Sequence, residues 1–536
     1  VAVFENQTGD PSLDPVGRMA QDWITQGLAQ TGLVDVVPTT AALQSYRYVE
    51  AESGAPQGLD RVRALAEETG AGTVVWGAYY RQGESIQFQA QITDAAQRKL
   101  LSALDAVSGP LESPLEGIEL LRQRVMGVLG ELLNPRLGPW ATEARQPPTF
   151  EAYNEYAEGA EHFFRRDYRE ALQHFYQAAA LDSTYVVPLS HAVVAHMNLG
   201  EYAQAESLAN VVNRSREQLS PAMRSLQDWH DAMLRGDWAG TLRAARQAAE
   251  LAPAWAVAHY AVALSALRVN RPREAVEVLE RIDPERGAMR GWVPYWSVLT
   301  AAHHVLGDHR RELEMARRGR RQYPDLLSTL SYEVEALAAL GRVAELSERL
   351  DESFTLPPQS GWTPAGVMRR AAIELRAHGH PEAAREVLER AIAWYRARPS
   401  DEAATRGRRY GLARALYLAE QWGEAQSLFE GLAAERPESL NYKGYLGVLA
   451  ARRGEREGAL RIEAQLRRLD RPYLFGDHTY WRACIAALLG ERERALSLLR
   501  DAFAQGVSYG AYLHAEYDLE PLRDHQPFQE LLRPKG

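Results

Sequence analysis

The sequence predicts an α-solenoid of about ten short helix pairs, preceded by a small α+β domain in which helices pack on a mixed sheet. Two observations carry this prediction. An amphipathic unit, first seen as DYREALQHFYQAAALD at residues 167–182, returns along the chain at intervals of 34 to 41 residues. The first 133 residues lack that period and contain stretches in which apolar and polar residues alternate, as in half-buried strands.

The amino-terminal domain, residues 1–133, is predicted to have the element order β-α-β-α-β-β-β-α. Its strands are expected at residues 1–5, 34–37, 73–81, 85–93 and 100–107, and its helices at residues 16–30, 59–69 and 116–133. The clearest strand signal is the alternation of Ile86, Phe88, Ala90 and Ile92 with polar residues. We expect the helices to cover one face of the sheet.

Two further segments flank the repeats, which are expected at residues 150–509. Residues 134–149 contain prolines at positions 135, 139, 147 and 148, which favours a semi-rigid linker. Residues 510–536 follow the repeats at the carboxyl end. We expect this last segment to cap the final hydrophobic face, since an array of repeats must cover its end.

Each repeat is predicted to place a small residue early in its second helix, where the two helices cross most closely. Ala171 holds this position in the first unit. The equivalent residues of the later units are Ala205, Thr241, Ala275, Glu312, Leu346, Ala384, Ala425, Ala459 and Ala495. Three of these, Thr241, Glu312 and Leu346, depart from the pattern because they are not small apolar residues.

The repeating unit resembles the tetratricopeptide repeat, a helix-turn-helix unit of 34 residues. Gly159, Tyr168, Ala171, Phe175 and Ala178 match that motif in the first unit. The resemblance covers residues 150 to about 509. It implies paired antiparallel helices whose first members line a concave surface that binds a protein or peptide.

A second resemblance lies in the amino-terminal domain. The stretches VAVFENQTGDPSLDPVGRMAQDWITQGLAQTGLVDVVP and ETGAGTVVWGAYYRQGESIQFQAQITDAAQRKLLSALDAVSGP are similar to the amino-terminal domain of the TolB family and to FlgO-like domains. Such domains precede tetratricopeptide repeats in bacterial membrane-tethered regulators, and the form linked to a serine/threonine kinase is the most similar. The resemblance implies an extracytoplasmic region, periplasmic or at the cell surface, that follows a kinase domain and a membrane span.

Composition and charge narrow the classes of function. The formal net charge is −10, whereas a sequence-independent nucleic-acid binder is usually basic. No apolar run approaches the 18 or so residues of a membrane-spanning helix. The single cysteine, Cys484, excludes a disulfide or a cysteine-based metal site within one chain and suits either the cytosol or the periplasm. Val1 is not a methionine, so we expect further chain upstream.

The sequence contains no recognisable catalytic motif. We find no glycine-rich phosphate loop, no His-Arg-Asp catalytic loop and no dinucleotide fingerprint, so we expect a chain that is not an enzyme and binds no cofactor. We also expect no metal site. His303, His304 and His309 lack the spacing of ligands on one helix, and His378 and His380 lie in a predicted turn, so these histidines are interpreted as packing or solvated residues.

The chemistry that remains is binding of a protein or peptide ligand on the first helices of the repeats. Aromatic and arginine side chains dominate binding hot spots. The residues expected on this concave groove are Tyr156, Tyr260, Arg268, Trp296, Tyr410, Arg414, Tyr417 and Tyr480, and by the same register also Phe163, His304 and Arg452. The alternative interpretation of each is helix-on-helix packing.

Two functions follow from these observations. The first is a non-catalytic sensory or scaffolding region of a bacterial membrane-tethered signalling protein, which binds a protein or peptide in the groove. The second is a structural protein that self-assembles in the cell envelope or as an extracellular filament. Sequence upstream of Val1 discriminates them, because a kinase domain and a membrane span support the first and a cleavable signal peptide alone supports the second.

Overall fold

The computed structural model of the protein describes residues 1–39, 41–42, 45, 59–134, 148–286, 289–357, 359, 361–511 and 513–536. Internal contacts divide the chain into two compact units. Unit 1 consists of Val1–His230 and Glu285–Arg290, and unit 2 of Asp231–Pro284 and Gly291–Gly536. The division therefore falls within the helix Pro221–Leu234.

The sheet of unit 1 is mixed, as predicted. In the described residues it has four strands in the order β1-β2-β3-β4, which are Glu5–Asn6, Thr73–Gln82, Ser85–Asp94 and Lys99–Pro110. β1 pairs with β2 in parallel, and the other two pairs are antiparallel. Gly83 has a φ of 62° in the two-residue turn between β2 and β3, a conformation that glycine adopts without strain.

Among the described residues of this domain, three helices pack on the sheet, Asp14–Thr31, Leu59–Thr69 and Pro114–Leu133. Two expectations about the domain were wrong. Residues 34–37 form no strand, and Val34 and Val36 instead pack against the core as partly buried side chains. The helices also cover both faces, because neighbouring residues of a strand point to opposite sides. Val75 belongs to the core under the first and third helices, whereas Val74 packs with Leu59–Thr69.

The repeat region confirms the predicted fold class, an α-solenoid of helix pairs preceded by a small α/β domain. Ten pairs follow one another along the described part of the chain. Pairs 1 to 10 are Phe150–Phe164 with Tyr168–Leu181, Val187–Asn198 with Tyr202–Arg214, Pro221–Leu234 with Trp238–Leu251, Ala256–Arg268 with Pro272–Leu279, Pro294–Val305 with His309–Gln322, Leu327–Ala339 with Val343–Glu352, Pro364–Ala377 with Pro381–Arg396, Arg406–Leu418 with Trp422–Glu435, Leu440–Arg452 with Arg456–Arg467, and Asp477–Leu488 with Arg492–Ala504.

The predicted repeat position is the fourth residue of the second helix in every pair. It is buried in all ten, at Ala171, Ala205, Thr241, Ala275, Glu312, Leu346, Ala384, Ala425, Ala459 and Ala495. The three units that depart from the small-residue pattern are therefore helix pairs like the others. Glu312 is the exception in chemistry, since it places a buried carboxylate where the other units bury an uncharged residue.

Within unit 1, the amino-terminal domain packs directly on the first helix pairs. Tyr185 Oη donates to Glu131 Oε1 at 2.6 Å, and both side chains are buried. Arg124 pairs with Asp182, close to the amino end of pair 1. Burial raises the pKa of Glu131 to about 8, so this carboxyl is a neutral partner for Tyr185 at neutral pH. Most of the expected linker, residues 135–147, lies outside the described residues.

The described residues also form smaller elements. They are the short helices Ser400–Ala403 and Gln526–Leu532 and the 3₁₀ turns Pro11–Leu13, Arg216–Gln218 and Tyr517–Leu522. Among the residues that the structure describes, none of the helices combines the length and the apolar character needed to span a bilayer.

Candidate functional site

The carboxyl-terminal segment, residues 507–536, lies with its described part, residues 507–511 and 513–536, along the first helices of the pairs in unit 2. Its side chains and backbone contact the first helices of pairs 4, 5, 7, 8, 9 and 10. It also caps apolar surface, since Leu519, Leu522 and Phe528 are buried in the core of unit 2. The segment therefore does more than cap the last repeat. It occupies the first helices, which is the surface on which a ligand was expected.

The strongest attachment involves Tyr517 and Asp518. Tyr417 Oη donates a short hydrogen bond to Asp518 Oδ1, and Arg452 Nη2 lies 3.0 Å from the same oxygen. Arg452 also donates to the carbonyl oxygen of Tyr517 at 2.9 Å, and its guanidinium carbon lies 3.4 Å from the centre of the Tyr517 ring. Arg376 lies over the same ring at 4.4 Å. Two arginines and a tyrosine thus hold one aromatic and one acidic residue.

Acidic residues on either side of this attachment have polar partners on the same helices. Tyr480 Oη donates to Glu516 Oε2 at 3.2 Å, and Arg376 Nη2 lies 3.5 Å from Glu520 Oε2. Burial raises the pKa of Glu516, and the nearby carboxylate of Asp518 raises it further. The sequence EYDLE, residues 516–520, is therefore held by cationic and phenolic groups.

Pair 4 holds the beginning of the segment. Arg268 Nη1 donates to Ser508 Oγ at 2.8 Å, and the backbone amide of Tyr509 donates to the Arg268 carbonyl oxygen at 3.0 Å. Near the carboxyl terminus, Asn270 Nδ2 donates to the carbonyl oxygen of Arg533 at 2.9 Å. Both ends of the segment are thus fixed by the same region of the chain, at and just after the end of the helix Ala256–Arg268.

Five of the residues expected on the groove bind the segment directly, namely Arg268, His304, Tyr417, Arg452 and Tyr480. Arg414 lies behind this layer, where its Nε donates to Tyr445 Oη at 3.0 Å and its guanidinium lies over Tyr410. Tyr410 itself packs against neighbouring rings, and burial raises its pKa to about 12. Arg414 and Tyr410 therefore support the residues that hold the segment.

The other three predicted groove residues, Tyr156, Tyr260 and Trp296, pack against neighbouring rings or helices. Tyr260 is half-buried and packs edge-to-face with Trp292. Tyr156 is fully buried, because its ring fills the space between Phe175, Tyr185 and His191. Trp296 is also a core residue.

Trp296 is buried because its indole covers a glycine of the partner helix. A methyl group at Gly319 would lie 2.8 Å from the Trp296 ring, so the two helices approach closely at this point. Trp296 Nε1 donates to Gln322 Oε1 at 2.9 Å, which satisfies its only polar atom. Tyr156 and Trp296 are thus packing residues rather than ligand contacts.

A cluster of histidines and glutamates lies next to the attachment of the segment. We call it the His/Glu cluster, and its members are His304, His309, Glu312, Glu374, His378 and His514. His304, His309 and Glu312 come from pair 5, Glu374 from pair 7, His378 from the turn after it, and His514 from the carboxyl-terminal segment. His304, Glu312 and Glu374 are buried, and the other three are partly exposed.

Short polar distances hold the cluster together. His304 Nδ1 lies 2.9 Å from each oxygen of Glu312, and His309 Nδ1 lies 2.9 Å from Glu312 Oε2. On its other side, His304 Nε2 lies 3.2 Å from Glu374 Oε2 and 3.3 Å from His514 Nε2. The ring of His304 therefore bridges two buried carboxylates.

These contacts decide the charges of the two central groups. Burial alone would lower the pKa of His304, but the neighbouring carboxylates of Glu312 and Glu374 outweigh burial and raise it well above its ordinary value. Burial would likewise raise the pKa of Glu374, and the three imidazoles of His304, His378 and His514 lower it well below its usual range. Glu374 is thus an ionised carboxylate inside the protein, which requires cationic or metal partners.

Ligand spacing within single helices does not predict this cluster. The ligand atoms come from separate segments, and His304 and His514 are 210 residues apart. One signal was present. Glu312 is the only one of the ten repeat positions with a charged residue, and its carboxylate lies 2.9 Å from Nδ1 of both His304 and His309 in its own pair.

Comparison with known proteins identifies no family. No protein-family model matches the chain, and no curated protein matches it. Among solved structures, a tetratricopeptide repeat protein from Parabacteroides merdae is 12% identical, with 53% of this chain and 93% of that chain covered and a TM-score of 0.28. The Naa15/Naa10 complex bound to HypK-THB is 16% identical, with 72% of this chain and 64% of that chain covered and a TM-score of 0.23. At these scores neither likeness assigns a function, and the fold assignment stands on the helix pairs themselves.

Proposed function

We propose that this chain is a non-catalytic interaction scaffold in which the first helices of the pairs in unit 2 bind an acidic, tyrosine-containing segment of a partner protein. One observation carries the proposal. The first helices of pairs 7 to 10 already hold such a segment, EYDLE at residues 516–520, through Arg376, Tyr417, Arg452 and Tyr480. Arginine and tyrosine on a concave surface form the type of site that binds an extended peptide.

The chemistry of this surface selects its ligand. Arg452 offers a charge-assisted hydrogen bond to a carboxylate and a cation–π contact to an aromatic ring from the same guanidinium. Tyr417 adds a second donor to that carboxylate. A ligand therefore needs an aromatic residue followed by an acidic one, as Tyr517 and Asp518 supply.

The carboxyl-terminal segment acts as an intramolecular competitor in this proposal. Since it is part of the same chain, its effective concentration at the surface is on the order of millimolar. A partner must therefore bind more tightly than the segment, or bind after the segment is released. With such competition, a partner of matching sequence would displace the segment and bind, whereas a weakly binding partner would not.

The wider setting is also a proposal. The likeness of residues 1–38 and 68–110 to TolB-type and FlgO-like domains supports a place in a bacterial membrane-tethered signalling protein, outside the inner membrane and after a serine/threonine kinase domain. The gene sequence upstream of Val1 tests this setting. A kinase domain followed by an apolar span would support it, and a different upstream domain would contradict it.

Peptide binding tests the scaffold proposal. The probe is a fluorescent peptide of residues 515–524, AEYDLEPLRD, measured by anisotropy. The Asp518→Ala variant of the full chain loosens the native segment, so we expect it to bind the peptide at least about tenfold more tightly than the parent. Adding Arg452→Ala to that variant should abolish binding, whereas Arg453→Ala, an exposed neighbour paired with Glu455, should not.

Two outcomes would contradict the scaffold proposal. One is equal binding by the Arg452→Ala and Arg453→Ala variants. The other is no binding to any variant while the Asp518→Ala chain forms dimers or longer assemblies by light scattering. That second result would favour self-assembly, in which the segment of one copy occupies the surface of another.

A further inference from the structure

We propose that His304, Glu374, His378 and His514 bind one zinc-class divalent cation, which fixes the carboxyl-terminal segment to the helices of pairs 5 and 7. The four ligand atoms are three imidazole nitrogens and one carboxylate oxygen, and they all lie within 4.8 Å of one another. This site is independent of the peptide-binding surface proposed above, because it uses different residues and a different ligand.

The spacing of the ligand atoms fits tetrahedral coordination. Zinc bonds of roughly 2.0–2.1 Å in a tetrahedron place neighbouring ligand atoms about 3.3 Å apart. From Glu374 Oε2, the distances to the Nε2 atoms of His304, His514 and His378 are 3.2, 3.5 and 3.6 Å. The Nε2 atoms of His304 and His514 are 3.3 Å apart. Four edges of the tetrahedron therefore have the expected length without any rearrangement.

The groups around the site orient the His304 ring so that its Nε2 atom can bind a metal. Its Nδ1 lies 2.9 Å from Glu312, which accepts the Nδ1 proton, and loss of the Nε2 proton on metal binding leaves the Nε2 lone pair facing the other three ligands. A carboxylate behind a ligating imidazole is the usual outer partner in zinc sites, where it fixes the tautomer and the ring orientation. Glu312 fulfils this role and is itself held by His309 Nδ1.

Two buried polar atoms at this site lack a hydrogen bond within the described residues. They are Glu374 Oε2 and His378 Nε2, which lie 3.6 Å apart and face the same centre. Glu374 is only 4% exposed, so water does not compensate for its charge. A cation between these two atoms satisfies both, and it also explains why two imidazole nitrogens approach each other beside a carboxylate.

The site has a route for a metal ion. A cavity of about 230 Å³ adjoins it, and His304, His309, His378, His514 and Tyr509 contribute to its lining. His378 and His514 are partly exposed at the mouth of this cavity. An ion can therefore enter from solvent once the protein has folded.

The donor set favours zinc over calcium or magnesium. Three imidazoles and one carboxylate suit late first-row metals, whereas the harder cations prefer oxygen ligands alone. All four positions are filled by protein atoms, which is the pattern of a structural site rather than a catalytic one. Because three ligands belong to pairs 5 and 7 and the fourth is His514, the metal joins the segment to the repeats.

Zinc binding to the metal-free full chain tests the proposal. The chain is treated with a chelator, dialysed and titrated with Zn²⁺ against a chromophoric chelator, and we expect one ion per chain. His514→Ala should weaken binding at least about tenfold, since it removes one of four ligands. His525→Ala is the matched control, because it removes a histidine of the same segment that pairs with Glu493 outside the cluster. It should bind like the parent.

Two further measurements make the result decisive. Co²⁺ in place of Zn²⁺ should give the intense visible absorption of a tetrahedral site in the parent and in His525→Ala, and not in His514→Ala. Glu374→Gln provides a second ligand variant, and circular dichroism shows whether each variant folds. If the folded parent binds no zinc, or binds it no better than His514→Ala, the cluster is held by shared protons and the metal site does not exist.

Discussion

Glu312 lies 2.9 Å from His304 Nδ1 and stands at the repeat position where seven of the ten units have alanine. This exchange of a small residue for a buried carboxylate links the repeat pattern to the His/Glu cluster. The carboxylate orients His304, which faces Glu374 and His514 on its other side. A departure from the repeat motif thus marks the place where the solenoid contacts its own carboxyl-terminal segment.

Restoring the motif at this position should damage the metal site. We expect Glu312→Ala to weaken zinc binding by about 10- to 100-fold, the usual effect of losing an outer-shell partner. The competition titration with a chromophoric chelator measures this change. Thr241→Ala is the matched control, since it makes the same restoration in pair 3. Equal zinc affinity in the two variants would show that Glu312 does not support the site.

The hydroxyl of Tyr417 should stabilise the attachment of the segment. Tyr417→Phe removes a buried donor to Asp518 and leaves that carboxylate with Arg452 alone. We expect a loss of about 1–3 kcal/mol in local stability, seen as faster hydrogen exchange in residues 513–522. Tyr410→Phe is the control, because the described contacts of Tyr410 are made by its ring. Unchanged exchange in Tyr417→Phe would mean that the hydrogen bond does not hold the segment.

Packing between Trp296 and Gly319 gives a prediction about stability. Gly319→Ala places a methyl group 2.8 Å from the indole ring, so we expect the melting midpoint to fall despite the better helix propensity of alanine. Gly431→Ala is the matched control in the second helix of pair 8, where nothing lies within 4 Å of the added methyl. That variant should gain about 1 kcal/mol from propensity alone. Two midpoints that both rise would place Trp296 outside the core.

The pKa of Glu131 predicts how the stability of unit 1 depends on pH. Its folded-state pKa is raised from 4.5 to about 8 by burial, so between these values the folded protein binds more protons than the unfolded chain. The unfolding free energy therefore falls as the pH rises through this range, by up to about 1.4 kcal/mol per pH unit.

Glu131→Gln should remove this pH dependence, because its side chain keeps an acceptor for Tyr185 and cannot ionise. Melting midpoints at about pH 5.5 and about pH 8 measure the effect. Glu116→Gln, an exposed change on the same helix, should retain the dependence of the parent. Parallel pH profiles for the parent and Glu131→Gln would contradict the raised pKa.

The repeats could be predicted from the sequence because their signal is local. The small residue at Ala171 and its equivalents recurs at a nearly constant interval, and burial at one position of one helix needs no knowledge of distant contacts. The same local reasoning failed at residues 34–37. Val34 and Val36 are apolar as in a strand, yet whether they join the sheet depends on pairing with a distant segment.

The candidate site is formed almost entirely by contacts between residues that are far apart in the sequence. Arg452 and Asp518 are 66 residues apart, and Arg268 and Ser508 are 240 apart, so no periodicity reveals them. Sequence reasoning placed Arg268, Tyr417 and Tyr480 on the first helices, which is where they meet the segment. It could not distinguish them from Tyr156 and Trp296, because an aromatic residue on a first helix can serve either packing or binding.

Hydrogen exchange of residues 507–520 in the intact chain tests the central claim, which is that the first helices of the pairs in unit 2 hold the carboxyl-terminal segment. We expect slow amide exchange in the parent chain, including at Tyr509, whose amide donates to the carbonyl oxygen of Arg268. We also expect these amides to exchange faster in Arg452→Ala and at the parent rate in Arg453→Ala. Exchange of these residues at the rate of an unfolded peptide in the parent chain would contradict the claim.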